Sequence, residues 1–109
     1  MKPEAKKAIA SFRDGDHKDW TKVPTSVPGV FIVYMPVAKG ATERSLGIEL
    51  NPVDEQGNPT KRRGIYLRSA DLAQMKEALN SDTVVELVNY VEEINPATPS
   101  GSTGDVITI

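Results

Sequence analysis

The chain has 109 residues, a formal net charge of −2, 39% hydrophobic residues and no cysteine. This length fits one small domain, the absence of thiols excludes disulfide bonds and thiolate metal sites, and no apolar run approaches the roughly 20 residues of a membrane span. The absence of cysteine suits a reducing cytosol, and the N-terminus lacks the apolar stretch of a secretory signal, so none is expected.

Charge is divided unevenly along the chain. Residues 1–68 hold 12 Lys/Arg and 8 Asp/Glu, a balance of +4, whereas residues 69–109 hold one Lys and seven acids, a balance of −6. This division favours a sheet with one anion-binding face and a helical side turned away from phosphate. Ordinary surface charge is the alternative interpretation.

Residues 1–19 are predicted to form a charged N-terminal extension. Residues 5–12 fit either a short helix or a strand, and residues 13–19 have the composition of a turn. Asp14, Asp16 and His17 in that turn carry side chains that bind metals, but their spacing matches no calcium loop. The turn is therefore interpreted as solvated, and neither a metal site nor a cofactor is predicted.

Four segments have the pattern of strands. Residues 20–23 are β-prone, and residues 30–37 are almost continuously apolar, which predicts a strand covered on both faces or lying at a dimer interface. Residues 46–50 alternate and predict a strand with Gly47 and Glu49 pointing outward. Residues 65–68 alternate in the same way and follow a run of three cations.

The apolar period changes from two to helical spacing at Ser69, which predicts a helix over residues 69–94. Residues 80–82 are expected to bend or split it, and Thr83 with Glu86 has the pattern of a capping box. The apolar stripe is too long for a small sheet to bury, so a second copy of the chain is expected to cover it. The residues expected at this dimer interface are Leu72, Met75, Leu79, Leu87, Val88 and Val91.

The last residues form a tail rich in Pro, Ser, Gly and Thr. Residues 96–109 are predicted to be flexible, while the final five, 105–109, also fit a strand added to a sheet edge. The predicted organisation is therefore an extension over residues 1–19, a folded core over residues 20–95 and the tail.

The core carries a resemblance to a known family. Arg62-Arg63-Gly64-Ile65-x-Leu67, then Leu72-x-x-Met75-Lys76-Glu77 and Leu79, with Asp54-x-x-Gly57-Asn58 before them and Trp20-Thr21-Lys22 upstream, resembles the positive cofactor four family. These proteins are single-stranded-DNA-binding transcription coactivators of eukaryotes, bacteria and phages. The chain departs from the family at Glu49 and Asn51-Pro52, where many relatives carry an arginine and an aromatic residue.

The resemblance implies an α+β fold, a curved antiparallel sheet of about four strands followed by a C-terminal helix, and a homodimer. It implies sequence-tolerant binding of single-stranded or unwound DNA, in transcription or in replication, recombination and repair, with proteins of those processes as further partners. The compartment would be the cytoplasm of a bacterium or phage-infected cell, or the nucleus of a eukaryote. No membrane partner is expected.

The predicted DNA-binding residues combine cations for phosphates with flat rings for unstacked bases. They are Trp20, Lys22, Tyr34, Lys39, Arg44, Lys61, Arg62, Arg63, Tyr66 and Arg68. For Trp20, coverage of the core is the alternative role.

Other functions fit the residues less well. No nucleophile elbow, P-loop, dinucleotide fingerprint or zinc-ligand spacing occurs, so no enzyme activity is predicted. A protein–protein adaptor of the same fold with a weakened DNA surface is the main alternative, because of Glu49 and the acidic C-terminal half. RNA binding is a third interpretation, since RNA uses the same stacking platforms.

Overall fold

The computed structural model describes residues 1–96, and the predicted tail falls outside them from residue 97 onward, including the strand over 105–109. The described part is α+β, as predicted. Its elements are α1 (Pro3–Asp14), β1 (Lys22–Pro24), β2 (Val30–Tyr34), β3 (Leu46–Leu50), β4 (Ile65–Leu67), α2 (Ser69–Leu79) and α3 (Asp82–Ile94).

The four strands form one antiparallel sheet in the order of the chain, β1-β2-β3-β4. Its register aligns Val23, Ile32, Ile48 and Leu67 in one row across all four strands. Because successive side chains of a strand point to opposite sides, these residues define one face of the sheet, which we call the helix-side face. The neighbouring positions define the other, which we call the cleft face.

Strand β2 supplies most of the core. Its residues Phe31 and Val33 on the cleft face and Ile32 and Tyr34 on the helix-side face are all buried. The prediction that this apolar strand is covered on both faces is confirmed. The strand ends at Tyr34, earlier than the predicted residue 37, because Pro36 lacks the amide that would continue the ladder.

Helix α1 lies against the helix-side face. The Tyr34 hydroxyl donates a hydrogen bond to the carbonyl oxygen of Gly15, and the rings of Phe12 and Tyr34 lie 5.4 Å apart between centroids. Ala5 and Ile9 of α1 line the same apolar space as residues of β1, β2 and β3. Of the two alternatives predicted for residues 5–12, the helix is thus confirmed, and it runs over Pro3–Asp14.

The chain divides into two compact units, Met1–Asp71 and a second one that begins at Leu72. The predicted interruption of the C-terminal helix is confirmed, since α2 ends at Leu79 and α3 begins at Asp82. The predicted cap is wrong. Ser81, and not Thr83, is the N-cap of α3, and its hydroxyl oxygen accepts a hydrogen bond from the Val84 amide at 3.4 Å.

Candidate nucleic-acid interface

A cleft of about 370 Å³ opens on the cleft face of the sheet within the first unit. The chain segment before β1, all four strands and the segment before β4 supply its lining, so residues far apart in sequence meet there. The lining residues are Trp20, Lys22, Val33, Glu49, Arg62, Arg63 and Tyr66. Five of these seven belong to the predicted DNA-binding set.

Trp20 is held at the cleft by an unusual backbone conformation. Its φ is 71°, in the left-handed region that bulky residues rarely adopt and that costs on the order of 1–3 kcal/mol. The Trp20 amide donates to the carbonyl oxygen of Tyr34 at 2.7 Å, which fixes this turn to β2. The indole is nevertheless 54% exposed, so the turn presents an aromatic surface instead of burying it.

Lys22 and Glu49 form an ion pair at the floor of the cleft. The Lys22 Nζ lies 2.8 Å from the Glu49 Oε2, and Glu49 is only 1% exposed. Burial alone would raise the pKa of the Glu49 carboxyl, but hydrogen bonds from Lys22 and Asn51, the charge of Lys22 and the Gly64 backbone outweigh it and lower that pKa below its ordinary value. Glu49 is therefore a buried, ionised carboxylate.

The prediction that Glu49 points outward to solvent is wrong. The alternation of β3 is as predicted, but the cleft face is covered at this position because Phe31 and Tyr66 flank Glu49 on the neighbouring strands. The carboxylate thus lies beneath the surface. It does not present a free negative charge to an approaching anion.

Asn51 connects this pair to the basic segment, residues 61–63. Its side chain is fully buried, and its Nδ2 donates to the Glu49 Oε2 at 2.9 Å and to the Lys61 carbonyl oxygen at 2.8 Å. The Asn51 Oδ1 accepts from the Lys61 amide at 3.1 Å. The side-chain amide of Asn51 therefore makes hydrogen bonds to both the N–H and the C=O of Lys61, as the backbone of a neighbouring strand would.

Gly64 brings the basic segment against β3. A Cβ atom at this position would lie 2.2 Å from the carbonyl oxygen of Leu50 and 2.9 Å from the Cγ of Glu49. Neither distance is compatible with a side chain, and the first involves backbone that cannot move aside. Only glycine allows the chain to pass here, which places Arg62 and Arg63 at the rim of the cleft.

Five predicted DNA-binding residues lie elsewhere. Tyr34 is 3% exposed on the helix-side face, where its ring packs against α1. Arg44 lies over that ring at 4.0 Å from its centroid and donates to Asp19 at 2.7 Å. Lys39, Lys61 and Arg68 are exposed but do not line the cleft.

The predicted dimer-interface residues belong to the second unit. Leu72, Leu79, Leu87, Val88 and Val91 are exposed, and Met75 is half-buried. On α3, three further large apolar side chains are exposed, namely Val85, Tyr90 and Ile94. The helix therefore carries apolar surface beyond the residues that were expected at the dimer interface.

Sequence reasoning missed the roles of Glu49, Asn51 and Gly64. The first two stood out only as departures from the family, and both are side chains that seldom occur fully buried. A carboxylate and an amide two residues apart on an alternating strand share one face, which was the available signal for a buried polar network. Gly64 gave no comparable signal, because glycine is required there only when β3 lies close to the backbone at this position.

Comparison with models of known protein families, with curated proteins and with solved structures finds no match. The family resemblance thus stays a prediction carried by its own residues. Within residues 1–96, no helix has the length and apolar character needed to cross a membrane. The same residues contain no group of three or more His, Cys, Asp or Glu side chains placed to hold a metal ion.

Proposed function

We propose that this protein binds single-stranded or unwound DNA with little dependence on sequence. The observation that supports the proposal most is the cleft, where two exposed aromatic rings and two arginines line one opening of the sheet. Single strands are bound by this combination, because aromatic rings stack unpaired bases and cations neutralise the backbone. The protein would capture melted DNA without chemical change.

The charges of the basic segment are available for phosphate. In the described residues 1–96, the ion pairs engage Arg13, Lys22 and Arg44, and none engages Arg62 or Arg63. Both arginines lie at the cleft rim beside the aromatic rings. A strand whose bases enter the cleft would therefore pass its phosphates over them, releasing counterions and making the affinity salt-dependent.

The rings are also available for bases. Trp20 is 54% and Tyr66 38% exposed. Aromatic contacts within residues 1–96 join Phe12, His17 and Tyr34, so neither cleft ring is stacked on another aromatic side chain. Base stacking on such a ring contributes about 1–3 kcal/mol per base. RNA could use the same rings, and we propose DNA because the resemblance implies it.

We further propose that the protein acts as a homodimer through its C-terminal helices. The exposed apolar side chains of α2 and α3 need cover, and a second copy of the chain supplies the same surface in return. Two copies would place two clefts on one assembly, which raises the affinity for a strand long enough to reach both. Such a protein would serve transcription, or replication, recombination and repair.

Fluorescence anisotropy tests the DNA-binding proposal. A labelled oligo-dT of about 20 nucleotides and the matching duplex are titrated with protein at two salt concentrations. The expected result is salt-sensitive preference for the single strand, reduced at least about tenfold by Arg62→Ala with Arg63→Ala. Lys6→Ala with Lys7→Ala is the matched control, because it removes two exposed charges from α1.

Two outcomes would contradict the proposal. Absence of binding at low salt would leave a protein–protein adaptor as the better interpretation. Equal loss of affinity in the α1 control and in the Arg62/Arg63 variant would show that binding depends on total charge and not on the cleft. Tighter binding of the corresponding RNA strand would replace DNA by RNA as the ligand.

A further inference from the structure

We propose that the cleft takes one nucleobase, and that Lys22 at its floor donates a hydrogen bond to a carbonyl oxygen of that base. This inference rests on the proposed function and adds a base preference to it. Thymine, cytosine and guanine carry such an oxygen, whereas adenine carries an amino group and ring nitrogens. Binding would therefore tolerate many sequences but disfavour adenine at the cleft.

The cleft has the size and lining of a small-molecule site. Its volume of about 370 Å³ lies within the roughly 300–1,000 Å³ of ligand pockets. Trp20 and Tyr66 supply flat apolar surface, and Lys22 and Glu49 supply polar groups below it. A planar ring with polar edges meets both requirements at once.

Lys22 has hydrogen-bonding capacity left over. An ammonium group carries three donors, and within residues 1–96 one acceptor engages it, the Glu49 Oε2 at 2.8 Å. Its side chain is 27% exposed, so the group is partly open to the cleft. Two donors thus remain for a ligand.

The Glu49 carboxylate determines which kind of ligand Lys22 binds. The carboxylate is buried and fixed by Asn51 at 2.9 Å, so it holds the ammonium in place. The pair is formally neutral, so Lys22 attracts a phosphate less strongly than a free ammonium group would. A base carbonyl needs only the remaining hydrogen-bond donors of Lys22, which leaves phosphates to Arg62 and Arg63 at the cleft rim.

Three oligomers of about six nucleotides test this assignment. The first carries thymine at each position, the second carries difluorotoluene, which has the shape of thymine without its carbonyl acceptors, and the third is abasic. Binding is followed by anisotropy and by tryptophan fluorescence. Trp20 is the single tryptophan of the chain, so its emission reports on the cleft alone.

We expect the thymine oligomer to bind about five- to tenfold more tightly than the difluorotoluene oligomer. A ratio of that size corresponds to one hydrogen bond from a charged donor that is partly solvated. Both oligomers should quench Trp20, and the abasic one should bind more weakly without quenching. Lys22→Met combined with Glu49→Gln, which removes both charges and leaves no unpaired carboxylate, should make the thymine and difluorotoluene affinities equal. Lys18→Met, an exposed neighbour, should preserve their ratio.

The outcomes separate this inference from the proposed function. If none of the oligomers nor a longer single strand binds, both are overturned. If single strands bind but thymine and difluorotoluene do so equally, or if the double variant keeps the preference, the role of Lys22 is overturned and the proposed function stands. Unchanged Trp20 emission on saturation with thymine would exclude a base in the cleft.

Discussion

At the scale of single residues, the molecule is defined by a polar network that runs from Lys22 through the buried Glu49 and Asn51 to the backbone of Lys61. Each of its groups has a partner, and among residues 1–96 no buried side-chain nitrogen or oxygen lacks a hydrogen bond. Complete pairing matters because an unpaired buried carboxylate would cost several kcal/mol. This network connects β1, β3 and the basic segment, so the same hydrogen bonds position the cleft floor and its cationic rim.

This network should make stability depend on acid pH through Glu49. Its folded-state pKa lies below the ordinary value of 4.5, so the charged form stabilises the fold above that pH, and the contribution is lost as pH falls through the folded-state pKa. At pH 7, Glu49→Gln should lower the free energy of unfolding by about 1–3 kcal/mol. The difference from wild type should narrow below about pH 4.

Urea denaturation followed by circular dichroism at several pH values measures this effect. Glu55→Gln makes the same chemical change at an exposed position and should stay within about 0.5 kcal/mol of wild type throughout. If the loss of unfolding free energy in Glu49→Gln stays constant from pH 7 to pH 3, the shape of the Glu49 side chain, and not its charge, stabilises the fold.

At the scale of elements, the joint between the basic segment and β4 positions the cleft rim. Strand β4 has three residues, pairs with β3 as its one neighbour within residues 1–96 and enters through Gly64. Asn51 fixes the segment at Lys61, and the close approach at Gly64 fixes it three residues later. Arg62 and Arg63 therefore lie between two fixed points, which limits the conformational freedom lost when they bind phosphate.

Gly64→Ala should displace this joint. The added Cβ would lie 2.2 Å from the Leu50 carbonyl oxygen, so β4 must move away from β3. We expect a loss of about 2–4 kcal/mol in the free energy of unfolding together with weaker binding of single-stranded DNA. Faster hydrogen exchange at the β4 amides measures the displacement directly.

Gly40→Ala is the matched control for that substitution. Gly40 has a φ of +83° and no atom within 4 Å of an added Cβ, so alanine there is strained without colliding. Gly40→Ala should lower the free energy of unfolding by about 1 kcal/mol and leave the DNA affinity unchanged. Wild-type exchange at β4 in the Gly64→Ala protein would contradict the predicted close approach.

At the scale of the whole molecule, burial is unevenly distributed. The buried apolar residues within residues 1–96 all belong to β2, and neither α2 nor α3 contains a buried residue. Helices in globular proteins gain most of their stability from packing an apolar face. A dimer that covers α2 and α3 would supply that packing, which is why oligomeric state and stability should change together.

Leu87→Asp with Val91→Asp should therefore dissociate the proposed dimer. Two charges placed in an apolar interface lose their hydration without gaining partners. Sedimentation equilibrium should show the mass falling from that of two chains to that of one. Binding to a strand of about 20 nucleotides should weaken about tenfold or more, because one cleft then acts alone.

Gln74→Asp with Asn89→Asp adds the same charges at exposed polar positions of α2 and α3, off the apolar stripe, and should leave the dimer intact. A wild-type protein that sediments as a single chain at micromolar concentration would rule out the dimer proposal. Single-stranded DNA binding by that monomer would leave the cleft proposal in place.

The local pattern of the sequence by itself determined the number and order of the strands, the break between α2 and α3 and the position of the basic segment. These features follow from apolar residues that recur every two or every 3.6 residues, from prolines and from runs of charge. All of these signals act over a few residues. The strand Leu46–Leu50 has the predicted bounds for that reason. The antiparallel sheet of about four strands was expected from the family resemblance, and the four strands do pair in that way.

Only the tertiary structure decided which face of each strand was covered and which side chains met. Alternation placed Glu49 on one face of β3, but its burial depends on Lys22, 27 residues earlier in the chain, and on the approach at Gly64. Likewise Tyr34 is buried because α1 lies over it, and Trp20 is exposed because its turn is bonded to β2. Periodicity says which residues share a face, whereas contacts between distant segments decide whether that face meets protein or water.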